Sequence, residues 1–232
     1  MAEQMEWMIE PLGDRALLIL VEQMPERSAI AHVRMLYDRL QAEPEAEWLE
    51  LVPALASIAI YYDPLAVSYA ECRDKLRARL QKLPRAAAIR GEIKRIPLCY
   101  GGDYGPDLDH VAEQAQLTVE EAVRFHSDTE YVVGMIGFVP GFPYLMGLPK
   151  ALAIPRRDVP RLSVPAGSVG IGGNQTGIYP FSVPGGWQIV GRTPLRLFQA
   201  DGEPPCLLMP GDTVKFVPIE REEFVRMERE DQ

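Results

Sequence analysis

Five basic side chains, Lys150, Arg156, Arg157, Arg161 and Arg192, stand against the single acid Asp158 in the stretch 134–193. That stretch carries about +4 in a chain whose formal net charge is −9. A guanidinium offers a planar fork of donors that fits a carboxylate or a phosphate, so the residue types point to an anion site. Four hydrogen-bonding side chains, Asn174, Gln175, Thr176 and Tyr179, follow Gly170-Ile171-Gly172-Gly173. A flexible glycine run with exposed N–H groups beside them is expected to form a pocket floor.

The backbone that positions these groups is unusual. The stretch holds twelve of the nineteen glycines and eight of the twenty-one prolines, which predicts shaped loops on short strands and no helix. Upstream, residues 5–10 and 15–21 read as two strands around the turn Pro11-Leu12-Gly13-Asp14. Ser28 is expected to cap a helix whose Ile30, Val33, Leu36 and Leu40 share one face. Residues 48–53 and 57–62 read as a second strand pair. Ser68 and Glu71 form a capping box for a second helix with Cys72, Leu76 and Leu80 on one side.

This order of elements predicts a small α+β sandwich, ferredoxin-like or a close variant, over residues 1–85. The run Lys82 to Ala88 marks a linker reaching to Ile93, and a second domain is expected over 93–220. That domain opens with a strand at 93–100. Asp107 is expected to cap a short helix through Gln114, Thr118 and Glu121 to box another that ends near His126, and a strand to follow at 130–138. Short strands are expected at 194–198, 206–209 and 213–217, with a solvated helix or frayed end in the acidic tail.

Composition removes several function classes. The acidic balance argues against non-specific nucleic-acid binding. The longest apolar run, Ala16 to Val21, is too short to cross a bilayer, and acidic residues occupy the start where a signal peptide needs bases, so a cytoplasmic protein is expected. Cys72, Cys99 and Cys206 lack CxxC spacing and the three histidines, His32, His110 and His126, are scattered; neither a disulfide framework nor a metal site is expected. Ala166-Gly167-Ser168-Val169-Gly170 imitates a nucleophile elbow without the helix that motif needs. Gln175 stands where a dinucleotide fingerprint needs its third glycine.

Long strings carry a family resemblance. GFVPGFPYLMGLP (137–149), PRRDVPR (155–161), VPAGSVGIGGNQTGIYP (164–180) and PGGWQIVGRTP (184–194) closely resemble one family. It comprises the B subunits of bacterial ATP-dependent 5-oxoprolinases, the kinase inhibitor KipI, and the carboxyltransferase subunit-1 proteins once labelled allophanate hydrolase subunit 1. CYGGDYGPDLDHVA (99–112), FHSDTEYVV (125–133), GDRALLI (13–19) and YYDP (61–64) extend the likeness over nearly the whole chain.

The resemblance implies an N-terminal α+β domain followed by a cyclophilin-like β-barrel. It implies a 5-oxoprolinase component that works with the C and A subunits to convert 5-oxoproline to glutamate, with ATP and Mg bound by the complex. Opening an unstrained lactam needs an activated carbonyl, and the route implied is phosphorylation of the amide oxygen. On that chemistry Arg156, Arg161 and Arg192 are expected to hold carboxylate or phosphate, and Gln175, Thr176 and Tyr179 to orient the lactam. Gly141, Phe142 and Trp187 are expected as walls, and His126 as a proton carrier or, structurally, a helix C-cap. The same resemblance leaves open a protein that binds a histidine kinase, or one half of a biotin-dependent carboxyltransferase; the chain has no MKM biotinyl motif.

Overall fold

The computed structural model describes residues 7–21, 26–81 and 93–230, without the side chains of Glu26 and Arg27. The chain splits into two compact units, Met1–Ile89 and Arg90–Gln232. The linker expected over 82–93 lies outside the described residues apart from Ile93, as do Met5 and Glu6 of the first expected strand.

The first unit runs β1 (Met8–Pro11), β2 (Ala16–Leu20), α1 (Glu26–Ala42), β3 (Trp48–Pro53), β4 (Ser57–Tyr62) and α2 (Tyr69–Leu80). Its strands pair antiparallel in the order β1-β2-β4-β3. Leu17, Ile19, Ile58 and Ile60 pack with Leu36 of α1 and Leu76 of α2 in one core. Apolar residues alternating along strands and recurring every three or four along helices make that core possible. The Ser68–Glu71 capping box forms as expected. Ser28 does not cap α1, which begins at Glu26; its carbonyl lies within the helix and faces His32 Nδ1 at 2.8 Å. A cap is worth about 1 kcal/mol, less than is gained by burying Ala29 and Ile30 in the helix's first turns.

The second unit is a closed barrel in the order β10-β7-β6-β13-β5-β12-β9. Its elements are β5 (Ile93–Tyr100), α3 (Leu108–Ala115), α4 (Val119–Asp128), β6 (Glu130–Ile136), β7 (Pro143–Met146), β8 (Arg161–Val164), β9 (Ser168–Gly172), β10 (Gln175–Ile178), β11 (Val183–Gly185), β12 (Gln188–Arg192), β13 (Thr213–Pro218) and α5 (Arg221–Glu230). β8 and β11 form a separate two-stranded sheet. Closure pairs every wall strand on both sides and removes the exposed edges that an open sheet must protect. The fold is therefore α+β, a sandwich followed by the barrel that the cyclophilin-like reading anticipates.

Several expectations for this unit change. Residues 194–198 and 206–209 form no strands and meet only at the isolated bridge Phe198–Cys206. Pro194, Pro204, Pro205 and Pro210 supply no N–H for a ladder there. The run Gly170–Gly172 is not a flexible loop: it belongs to β9 and is bonded to β10 and β12. The acidic tail is a helix with a docked face, since Phe224 of α5 is fully buried and lies 4.3 Å from Tyr104, ring centre to ring centre.

Candidate functional site

A cleft of about 290 Å³ opens on the second unit beside the β8–β11 sheet, lined among others by Phe138, Phe142, Tyr144, Arg156, Tyr179 and Trp187. Phe142 is its hub: its ring centre lies 4.9 Å from Tyr144, 5.1 Å from Tyr179 and 5.6 Å from Trp187, each edge to face. Edge-to-face rings attract through their quadrupoles, so four aromatics at these distances make a rigid apolar wall. The tight loop that delivers Phe142 is closed by Gly137 N–H to the Phe142 carbonyl at 3.1 Å. At its corner Gly141 adopts φ +80°, and a Cβ there would stand 2.8 Å from that of Phe198. In the same loop Phe138 adopts φ +66° and is 60% exposed. A bulky side chain in the left-handed region costs energy, and here the cost places an aromatic ring at the cleft's rim.

The polar side of the cleft is cationic. The Arg156 guanidinium sits 5.8 Å above the Trp187 ring, and Arg157, the second cation of the lining, donates from Nη1 to Asp107 Oδ1 at 3.1 Å. No carboxylate among the described residues is part of the lining. Burial raises the pKa of the Tyr179 hydroxyl, against the opposing pull of a hydrogen bond from the Trp187 backbone and of the Arg156 and Arg161 charges. Tyr179 is thus a neutral phenol near neutral pH, able to donate to an acceptor in the cleft.

The sequence-predicted site residues divide into two groups. Phe142, Arg156, Tyr179 and Trp187 meet in the cleft, Gly141 turns the loop behind Phe142, and Arg161 on β8 pairs across to the cleft-lining Gly185. Gln175 lies elsewhere and its amide contacts Met146 sulfur at 3.4 Å. Arg192 donates to the Ala166 carbonyl at 2.8 Å and covers the Phe224 ring at 5.8 Å. Asn174 sits exposed in the turn between β9 and β10.

His126 and Thr176 meet each other inside the barrel. Thr176 Oγ1 donates to the Gly170 carbonyl at 2.9 Å and faces His126 Nε2 at 3.1 Å, while Tyr100 Oη faces His126 Nδ1 at 2.8 Å. With the threonine proton committed to Gly170, the consistent arrangement is Nε2–H donating to Thr176 and Nδ1 accepting from Tyr100. The ring also stacks on Phe216 at 4.7 Å. Burial pushes the imidazole pKa down to about 3, so the ring is neutral. It is not a C-cap: α4 continues to Asp128 and the side chain points into the core.

Sequence reasoning does not find Phe138, Asp107 or the β8–β11 sheet as parts of the site, and it gives Arg157 no role beyond its charge. The doubled Arg156-Arg157 is visible as extra charge, but nothing in the spacing distinguishes the two.

The carboxyltransferase domain, subdomain C and D, matches residues 7–208. Over 230 residues the chain is 42% identical to the 5-oxoprolinase B subunit of Bacillus subtilis (strain 168), covering 94% of this chain and 95% of that one. It is 42% identical over 213 residues to the 5-oxoprolinase B subunit of Escherichia coli O157:H7, covering 89% and 94%. Among solved structures it is similar to TTHA0988, with a TM-score of 0.78 and 33% identity over 89% of this chain and 40% of that one.

Proposed function

The chain belongs to the carboxyltransferase domain, subdomain C and D, family, and we propose that it is the B subunit of an ATP-dependent 5-oxoprolinase. The observation that carries this reading is identity of 42% running nearly end to end through both chains. Such coverage on both sides argues for the same subunit role, since a shared module inside a larger enzyme would leave most of one partner unmatched.

In this reading the complex adds one water across the lactam C–N bond of 5-oxo-L-proline, giving L-glutamate, and takes up a second water as ATP becomes ADP and phosphate. We assign ATP and Mg to the assembled complex with the A and C subunits, and to this chain a share in holding the lactam. The cleft suits that share. The flat five-membered ring would lie against Phe142 and Trp187, the neutral Tyr179 hydroxyl would donate to the lactam oxygen, and the substrate carboxylate would face Arg156 and Arg157. Donors fixed before the reaction stabilise charge that develops on an activated carbonyl without reorganising. His126 and Thr176 serve the barrel frame in this reading, and Arg192 and Gln175 brace the wall.

The test is reconstitution with the A and C subunits and measurement of 5-oxoproline-dependent ATP hydrolysis. Activity should require this chain, and Arg156→Gln should lower it about 10-fold or more, in line with loss of a charge-assisted contact. Full activity without the chain would overturn the assignment.

A further inference from the structure

Asp107 occupies the N-cap position of α3, yet its side chain makes no cap bond. It is 5% exposed and reaches in the other direction. Oδ1 accepts from Arg157 Nη1 at 3.1 Å and from Arg161 Nη2 at 2.8 Å, while Oδ2 accepts from the Ile189 N–H at 2.7 Å. The Asp107 N–H in turn donates to the Ile189 carbonyl at 2.9 Å. Pairing of β12 with β5 begins at Gly191, so Asp107 takes both backbone groups of Ile189 just beyond that ladder. The loop reaches this position because residue 105 is glycine: a Cβ there would stand 2.1 Å from the Val190 carbonyl oxygen.

One carboxylate therefore holds two guanidiniums, and no other acid among the described residues lies within ion-pair distance of either. Arg156 adds a third cation at the mouth, so the cluster keeps two net positive charges. Arg157 Nε and Arg161 Nη1 are also buried without an acceptor. A charged donor left unmet away from water is costly, and a structure keeps such groups where something else supplies the acceptor.

We propose that Asp107 is a positioning residue that fixes Arg157 and Arg161 as a receptor for an oxyanion, a carboxylate or a phosphoryl group, on the Arg157 side of the cleft. The inference rests on the cleft being the substrate site, and it names the group that the site grips. Tethered at one end by Asp107, each guanidinium keeps its remaining N–H groups in place, and the ligand need not order two long side chains as it binds. Arg157 belongs to the cleft lining, and Arg161 shares its Asp107 oxygen and pairs across to the cleft-lining Gly185, so both cations stand near where a lactam carboxylate would sit.

The experiment is calorimetric titration of the full chain with 5-oxo-L-proline and, separately, with inorganic phosphate. Asp107→Asn removes one of the two acceptor oxygens and the charge, and Arg157→Lys keeps charge while losing the fork. Each should weaken 5-oxoproline binding at least about 10-fold with the circular dichroism spectrum unchanged. Should Asp107→Asn fail to fold, Arg157→Lys decides alone. Phosphate that competes with 5-oxoproline extends the receptor to phosphoryl groups, and phosphate that does not bind narrows it to carboxylates; both uphold the proposal. Folded variants that bind 5-oxoproline as tightly as the wild type would overturn the receptor and leave the cleft as the lactam's site. A wild-type chain that binds neither ligand would also overturn it, while the reconstituted activity would still decide the subunit reading.

Discussion

Protonating His126 should destabilise the barrel. The imidazole is enclosed by Tyr100, Thr176 and Phe216, and burial lowers its pKa from an ordinary 6.5 to about 3. The unfolded chain binds this proton near pH 6.5 and the folded chain only near 3, so stability is complete above 6.5 and is lost as the pH falls through that window. One pK unit is worth about 1.4 kcal/mol, so on the order of 3 kcal/mol disappears between about pH 7.5 and about pH 4.5 from this residue alone. The comparison is with His126→Gln, whose amide can still donate to Thr176 and accept from Tyr100 but does not titrate. Urea unfolding of both proteins across that range isolates the histidine, because every carboxylate is common to the two. The variant should start less stable at the upper end and lose less on acidification, the gap narrowing by about 2–3 kcal/mol. Parallel pH profiles would show that the ring is reached by water or a counter-ion in the folded state, and the assignment of a dry, neutral histidine would be wrong.

Two further perturbations test the wall and the tail. Gly172→Ala would place a Cβ 2.7 Å from the Trp187 indole ring; it should cost about 1–3 kcal/mol by overpacking, read as a lowered urea midpoint, and an unchanged midpoint would mean that the ring is free to move. Phe224→Ala should cost about 3–5 kcal/mol, and hydrogen exchange should show α5 released from Tyr104, whereas protection equal to the wild type would show that the helix is held by other contacts.

Local chemistry makes most elements legible. Both capping boxes, Ser68–Glu71 and Thr118–Glu121, lie where two residues three apart announce them. β3, β4 and β5 match the expected ranges because β-branched and aromatic residues bounded by turns leave few alternatives. α1 begins earlier than Ser28 suggests, since a cap preference is weak against burial. Apolar composition favours strands near 194–198 and 206–209, but Pro194 opens the first and Pro204, Pro205 and Pro210 flank the second, so no ladder extends past the Phe198–Cys206 bridge. The glycines of 170–173 suggest mobility by composition, yet at Gly170 and Gly172 what matters is the missing side chain: Trp187 lies 3.0 Å and 2.7 Å from where a Cβ would be. Composition alone cannot separate a glycine needed for its dihedrals from one needed for its size.

Side-chain partnerships are the part that no spacing reveals. An acid one residue before an apolar helical run is normally a cap, and in the sequence nothing near Asp107 points to a competitor fifty residues away. Arg157 and Arg161 prevail over the helix N–H groups because each brings a full opposite charge along with its donors, and here two guanidiniums and the Ile189 N–H converge on one carboxylate. Removing the acid from α3 also removes it from the helix surface and places it behind the cleft, where it fixes two cations without neutralising both. The positive charge first visible as an excess of arginine over a sixty-residue stretch is thus focused by a residue outside that stretch, and the fold, through the close passage of the Gly105 loop along β12, is what brings them together.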